Sequence, residues 1–180
     1  YCSLGTSVDC ALSAARSART VIAQINHAMP RTLGDSFIHL DQLDRVVEVD
    51  QPPDDVPASP PSEVELRIGA HVASLIDDGA TLQMGIGSIP NAVLAALGTH
   101  RALGVHSEMF SDGVVELVER GVITGERNPL HPGKLLSSFV MGSSPLYDFV
   151  HDNPMVAMYP VNYTNDTSII RRNHRMVAIN

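Results

Sequence analysis

Apolar residues along this 180-residue chain fall into short runs that alternate with amphipathic stretches, and the period changes at clear punctuation. Residues 8–19, VDCALSAARSAR, put Val8, Leu12 and Ala15 on one face of an alanine-rich segment, which predicts a helix. TVIAQIN (20–26) predicts a buried parallel strand, and RVVEV (45–49) predicts another strand. Residues 27–44 between them contain Pro30 and Gly34 and read as a loop. From Asp50 to Pro61 the chain runs DQPPDDVPASPP. Five prolines in twelve residues exclude a helix interior or a central strand, so this is a linker.

Beyond the linker the alternation strengthens. Ser62 and Glu65 have capping-box spacing. Val64, Ile68, Val72 and Leu75 form an apolar stripe at helical spacing, and Gly79 is placed to end that helix. ATLQMGIG (80–87) predicts a strand running into a glycine turn, followed by a helix over IPNAVLAALG with Pro90 in its first turn. ALGVHSE (102–108) predicts a strand ending at Glu108, and GVVELVERG (113–121) a helix ending at Gly121. Asp112 reads as its turn or N-cap residue, and Glu116 and Glu119 as solvated side chains on its polar face. Further strands are predicted at 135–141, 155–160 and 176–180, with a short helix over 144–152. This pattern predicts an α/β fold with an open, mostly parallel sheet.

Composition narrows the function classes. Charged residues are 18% and hydrophobic residues 44%, which places the chain among globular proteins. The net charge of −8 gives a polyanion no footprint, and Arg171, Arg172 and Arg175 are too few to make one, so nucleic acid is not expected as a partner. No run reaches the roughly 18 apolar residues of a membrane span, so no membrane association is expected. Cys2 and Cys10 leave a disulfide open but match neither a secreted framework nor a metal pattern, and a reducing cytoplasm is the expected compartment. The eight histidines contain no i, i+4 pair, and no metal is expected. The chain opens without methionine and closes on the apolar run MVAIN, which together read as a segment of a longer protein.

Two motifs carry chemistry. GIGSIPNAV places Gly85 and Gly87 where a strand meets a helix, a junction that directs backbone N–H groups at a ligand. A dinucleotide fingerprint needs a third glycine where Pro90 stands. Proline supplies no N–H and disfavours helical dihedrals at Ile89, so a nicotinamide-binding domain is disfavoured. No lysine followed by serine or threonine completes a P-loop. Two readings stay open: a tight connection without a ligand, or an oxyanion cradle built from Ile86, Gly87 and Ser88. In LGVHSEMFSDG, Glu108 stands among small residues at a predicted strand end, where open α/β sheets bind ligands. A carboxylate there is either a solvated or capping residue, or a nucleophile or base. His106 either bonds Glu108 or packs in the core.

GIGSIPNAV, LGVHSEMFSDG, HPGK, LYDFVHDNP and PVNYTND, with MPRTLGDSFIH upstream, together resemble the acetyl-CoA hydrolase/transferase family, whose members include 4-hydroxybutyrate and butyrate–acetate CoA-transferases. The resemblance runs from about Ser3 to Asn180. It implies that residues 1–49 close a first CoA-transferase half, 50–62 link, and 63–180 open a second half. It also implies that Glu108 attacks an acyl-CoA and passes through a mixed anhydride to a glutamyl-CoA thioester. Gly85, Ile86, Gly87 and Ser88 would then shape the oxyanion and CoA site, with coenzyme A as substrate and product and a small carboxylic acid as acceptor. Arg31 is the candidate for steering that acid's carboxylate, with pairing to Asp35 as the alternative. An acyl-CoA hydrolase using the same glutamate and an inactive CoA-binding module are the competing readings. The family's further segments imply that this stretch has little activity by itself. They also imply that its apolar faces are covered by further copies or by a longer chain.

Overall fold

The computed structural model describes residues 1–56 and 59–179. Pro57 and Ala58 of the predicted linker, and Asn180 at the end of the predicted last strand, lie outside the described residues. The sheet that carries the site is mostly parallel. Strand β5 (Thr81–Met84) runs parallel to β11 (Met176–Ile179) on one side and to β6 (Gly104–Val105) on the other. A parallel bridge between His106 and Leu136 continues the sheet to β8 (Leu135–Ser137), which pairs in parallel with β10 (Val156–Met158). Two short strands close the top: β7 (Met109–Phe110) meets β5 antiparallel at Met84↔Met109 and runs parallel to β9 (Phe139–Val140). The fold is α/β, as the alternation of runs predicts.

The helices α2 (Glu63–Ala73), α3 (Ser88–Ala96), α4 (Asp112–Glu119) and α5 (Ser144–Val150) connect these strands. With tryptophan absent, the core is made mostly of aliphatic side chains, with Met84, Met158, Phe110 and Tyr147 among them. Leu82, Leu94, Leu103, Leu135 and Leu146 are each at most 2% exposed. Each such side chain stabilises the fold by about 1.5–3 kcal/mol relative to exposure.

Several predicted elements change on folding. The helix expected over 8–19 is α1 (Ala11–Ser17), because the N–H groups of Val8 and Asp9 instead donate to the carbonyl of Ser138, at 2.8 and 3.2 Å. Strand β2 (Ile22–Asn26) does pair in parallel with β4 (Arg45–Val49), but the pair is not buried: Ile22 of β2 is 69% exposed and Val47 of β4 56%. The loop over 27–44 contains the two-residue strand β3 (Phe37–Ile38), which pairs antiparallel with β1 (Cys2–Ser3), and a 3₁₀ turn at Leu40–Gln42. Helix α2 ends at Ala73, short of Gly79, and most of its predicted apolar stripe faces outward: Val64, Ile68 and Leu75 are exposed, and only Val72 of the four packs against the core. The reason is a seam of small residues. A Cβ on Gly69 would lie 2.6 Å from the Ala92 backbone, so α2 meets α3 through Gly69 and Ala73 rather than through its bulky side chains. The expected 135–141 strand splits at Ser138 into β8 and β9, and the last helices, α6 (Val161–Thr164) and α7 (Thr167–Ile170), were not predicted.

The first segment is tied to the second through the backbone. Val140 N–H donates to Thr6 O at 2.9 Å, and Met158 N–H to Leu33 O at 2.7 Å. The linker also makes contacts: Val56 N–H donates to Gly142 O at 2.8 Å, and the Tyr147 hydroxyl to Asp54 O at 3.1 Å.

Candidate active site

Glu108 sits between two short strands rather than at the end of one long one. β6 stops at Val105, and the chain then turns through His106, Ser107 and Glu108 before β7. Hydrogen bonds force that turn. Ser107 Oγ accepts from Met84 N–H at 2.9 Å and lies 3.1 Å from Met84 O, and Ser107 N–H donates to Leu136 O at 3.1 Å. Met109 faces Met84 in antiparallel register, so Glu108 and Gly85, the first residue of the glycine turn, are each next in the chain to that one paired position. The chain fold itself brings the two motifs together.

The half-buried Glu108 is held at both ends. Its carbonyl accepts from Ser138 and Phe139 N–H at 2.9 and 3.0 Å. Its carboxylate oxygen Oε2 accepts from Asn165 Nδ2 at 2.8 Å. Asn165 caps α6, whose last residue, Thr164, is 1% exposed.

His106 is a core histidine, not a partner of the Glu108 carboxylate. It is 1% exposed, with Nε2 2.8 Å from Thr164 O and Nδ1 3.1 Å from Asn173 Nδ2. Burial pushes its pKa below the ordinary histidine value, against the opposing effect of the Thr164 carbonyl. His131 of HPGK braces α6 from another side, with Nε2 2.6 Å from the Tyr163 hydroxyl.

In the glycine turn, Gly85 N–H donates to Ile179 O at 2.6 Å, so that amide is committed to the sheet. Gly87 has φ +123° and ψ −175°, a region essentially restricted to glycine. A Cβ there would meet nothing within 4 Å, so the backbone angle and not a neighbouring atom demands glycine. Ile89 lies inside α3, contrary to the expected effect of Pro90. In a first turn the missing proline N–H has no helical acceptor to lose, and the local packing outweighs the dihedral bias.

Ser88 Oγ donates to the carboxylate of Glu65, which also closes the predicted capping box with Ser62. The Ser88 hydroxyl, then the Ser62 hydroxyl and N–H, lower the Glu65 pKa from 4.5 to about 2. A carboxyl whose folded pKa is depressed contributes stability that is full above its unfolded value and is lost as the pH falls toward its folded one. The melting advantage of the native protein over Glu65→Gln should therefore be constant above pH 4.5 and shrink steadily down to about pH 2. Thermal melts of both proteins across that range check it, and a gap independent of pH refutes it.

A cavity of about 340 Å³ is lined by Gly85, Ile86, Gly87, Ser88 and Met109 on one side and by Met141 on another. Asp112 also borders it. That residue is the first of α4 rather than its N-cap, which is Ser111, because its carboxylate accepts from Ser143 N–H and Oγ. Glu116 and Glu119 are exposed as expected, and Glu116 pairs with Arg120 at 3.2 Å.

Arg31 lies elsewhere, on a larger cavity of about 470 Å³ in the first segment. Its guanidinium pairs with Asp152, not Asp35, and stacks 5.1 Å from the centre of the Phe37 ring. The two cavities have no lining residue in common, and size does not single out the one beside the two motifs.

Comparison with known proteins finds the same family at both ends of the chain. The acetyl-CoA hydrolase/transferase N-terminal domain model matches residues 1–56, and the C-terminal domain model of the same family matches residues 142–180.

The chain belongs to the acetyl-CoA hydrolase/transferase family.

Among its relatives in the family, the 4-hydroxybutyrate coenzyme A transferase of Clostridium kluyveri is 53% identical over the whole chain, which spans 42% of that relative. The succinyl-CoA:acetate/propanoyl-CoA:succinate CoA transferase of Fasciola hepatica is 48% identical over the whole chain and 38% of its own length. The crystal structure of the 4-hydroxybutyrate CoA-transferase from Porphyromonas gingivalis superposes with a TM-score of 0.95 at 48% identity, over 99% of this chain and 46% of that one. The chain thus spans less than half the length of these relatives.

At this candidate site, sequence reasoning paired Glu108 with the glycine turn but gave no role to Asn165. PVNYTND contributed to the resemblance, yet an asparagine after a short aromatic stretch has the same signature as an ordinary turn residue. Among the described residues, no group of three or more His, Cys, Asp or Glu side chains is placed to hold a metal ion, and no helix is long and apolar enough to cross a membrane.

Proposed function

We propose that the complete protein moves CoA between an acyl-CoA and a small carboxylic acid, with Glu108 as the covalent nucleophile. The observation that carries this reading is the Glu108 carboxylate held by Asn165 Nδ2 at 2.8 Å, one residue before the Met109 that pairs with Met84 at the foot of the glycine turn. With Oε2 fixed, Oε1 attacks the acyl carbonyl carbon. The C–S bond breaks, CoA leaves as the thiolate, and a mixed anhydride remains on Glu108. The thiolate then attacks the glutamyl carbonyl of the anhydride and expels the first acid as its carboxylate, leaving a glutamyl-CoA thioester. An incoming carboxylate reverses both steps and departs as the new acyl-CoA, which restores Glu108.

Each attack builds an oxyanion, and the amides of Ile86 and Gly87 are the donors assigned to it, since that of Gly85 is already bonded within the sheet. Ser88, tied to Glu65, fixes the start of α3 behind them. Arg31 can steer the acceptor acid only by exchanging Asp152 for the substrate carboxylate. The same reading divides the chain at the 50–62 linker into parts of two transferase halves. It also places the reaction in the cytoplasm and covers the exposed faces with further copies or further chain.

The test is to treat the complete protein with an acyl-CoA without acceptor, digest it, and weigh the peptide that holds Glu108. A CoA-sized thioester adduct on Glu108 supports the reading, and an unmodified peptide under turnover conditions overturns it. Product analysis with and without acetate separates transfer from hydrolysis.

A further inference from the structure

His106 is fully buried two residues before Glu108, yet its imidazole turns away from the carboxylate and reaches the end of α6. Its hydrogen-bond pattern fixes the tautomer. Nε2 faces the carbonyl of Thr164 at 2.8 Å, so it carries the hydrogen. Nδ1 faces Asn173 Nδ2, whose other hydrogen goes to Ile170 O at 3.1 Å, so Nδ1 is the acceptor. A neutral histidine thus caps a carbonyl at the C-terminal end of a one-turn helix, a group otherwise short of a donor.

The next residue after that carbonyl is Asn165, which holds Glu108 Oε2. The Thr164 hydroxyl lies 2.5 Å from Ser138 Oγ, and Ser138 N–H donates to the Glu108 carbonyl at 2.9 Å. The contacts therefore form a closed loop: from Glu108 main chain through Ser138 to Thr164, and through Asn165 back to the Glu108 side chain. His106 ties that loop a second time, across its middle. Asn165 itself is exposed and at the end of a four-residue helix, so little else fixes the direction of its amide.

We propose that His106 is a positioning residue for the nucleophilic carboxylate, acting through the Thr164 carbonyl and the Asn165 amide. It touches neither the carboxylate nor substrate. It sets the depth and rotation at which α6 delivers Asn165 Nδ2 to Glu108 Oε2. This rests on Glu108 being the nucleophile, the reading given above.

Two variants separate the two ends of the ring. The amide of His106→Gln can reach Thr164 O as Nε2 does, whereas the shorter His106→Asn can replace only the Nδ1 side toward Asn173. In the complete enzyme His106→Asn should lower kcat roughly ten- to a hundredfold with KM for the acyl-CoA unchanged, since a displacement of about 1 Å costs that much. His106→Gln should stay within about threefold of native on the same scale. In an Asn165→Ala background the His106→Asn change should alter kcat by less than about twofold, because the route it acts through is gone. An equal fold loss with and without Asn165, or equal loss in the Gln and Asn variants, overturns the proposal. Where His106→Asn does not fold, Asn173→Ala tests the same division from the other side: it removes only the Nδ1 partner, so kcat should stay within about threefold of native as in His106→Gln, and a loss of roughly ten- to a hundredfold overturns the proposal.

A second readout needs no turnover. The Asn165 side-chain amide resonances should shift toward those of a solvated asparagine in His106→Asn and stay in place in His106→Gln. Unmoved resonances in His106→Asn overturn the positioning role. Shifted resonances in a protein that transfers no CoA uphold it, and place the failure in the assignment of Glu108.

Discussion

Glu108→Ala should reduce CoA transfer by the complete protein at least roughly a thousandfold and leave no acyl- or CoA-sized adduct on the peptide. The magnitude follows from the loss of a covalent nucleophile, for which the remaining binding contacts cannot substitute. The fold should survive, since the half-buried Glu108 side chain is held by a single exposed asparagine, while its backbone bonds to Ser138 and Phe139 remain. A melting temperature close to native together with lost activity is therefore the expected pair. Glu108→Gln is the sharper control. Its amide cannot attack, and its nearly equal volume preserves the packing around residue 108. Retained transfer in either variant would remove Glu108 from the chemistry.

Gly87→Ala should cost activity and stability together. An alanine at φ +123° and ψ −175° carries about 1–3 kcal/mol of backbone strain, and no neighbour within 4 Å of the added Cβ would clash with it. Relief of that strain rotates the peptide groups on either side of residue 87, and the first of these carries the Gly87 N–H, one of the two donors assigned to the oxyanion. Loss of one such donor lowers the rate roughly a hundred- to a thousandfold. The informative comparison is with Gly121→Ala, where φ is +71° and again nothing lies within 4 Å, but the residue follows α4. Both variants should lose stability, and only Gly87→Ala should lose kcat beyond that. Parallel losses of kcat in the two would show that the turn matters for folding alone.

The fold was legible where side-chain period and punctuation agree. The glycine turn, the helix after it, the capping box at Ser62 and the parallel strands β5 and β11 all follow from local pattern. The failures have a common cause, which is that tertiary contact decided the outcome. The stripe Val64, Ile68 and Leu75 has helical spacing, but spacing does not say which face meets a neighbour, and the Gly69 approach to Ala92 turned the other face inward. Likewise the strand over 102–108 reads as continuous, and only the Ser107 bonds to Met84 reveal the break before Glu108.

At the candidate site, Glu108 and residues 85–88 stand out in the sequence because the proposed nucleophile and donors need particular residue types. The network behind them does not. The partners of His106 at Thr164 and Asn173 lie 58 and 67 residues away in sequence, a distance no local pattern spans.

The bond from Gly85 N–H to the Ile179 carbonyl has a consequence for biosynthesis. The turn is pinned by the parallel partner of β5, which is made far later than the turn itself, and closing so long a loop is slow. A nascent chain that has already exposed Glu108 on the ribosome therefore has no finished cradle beside it. Acquisition of the reactive geometry is postponed until residue 179 has emerged and docked, so truncated translation products that stop before it should be inert toward acyl thioesters.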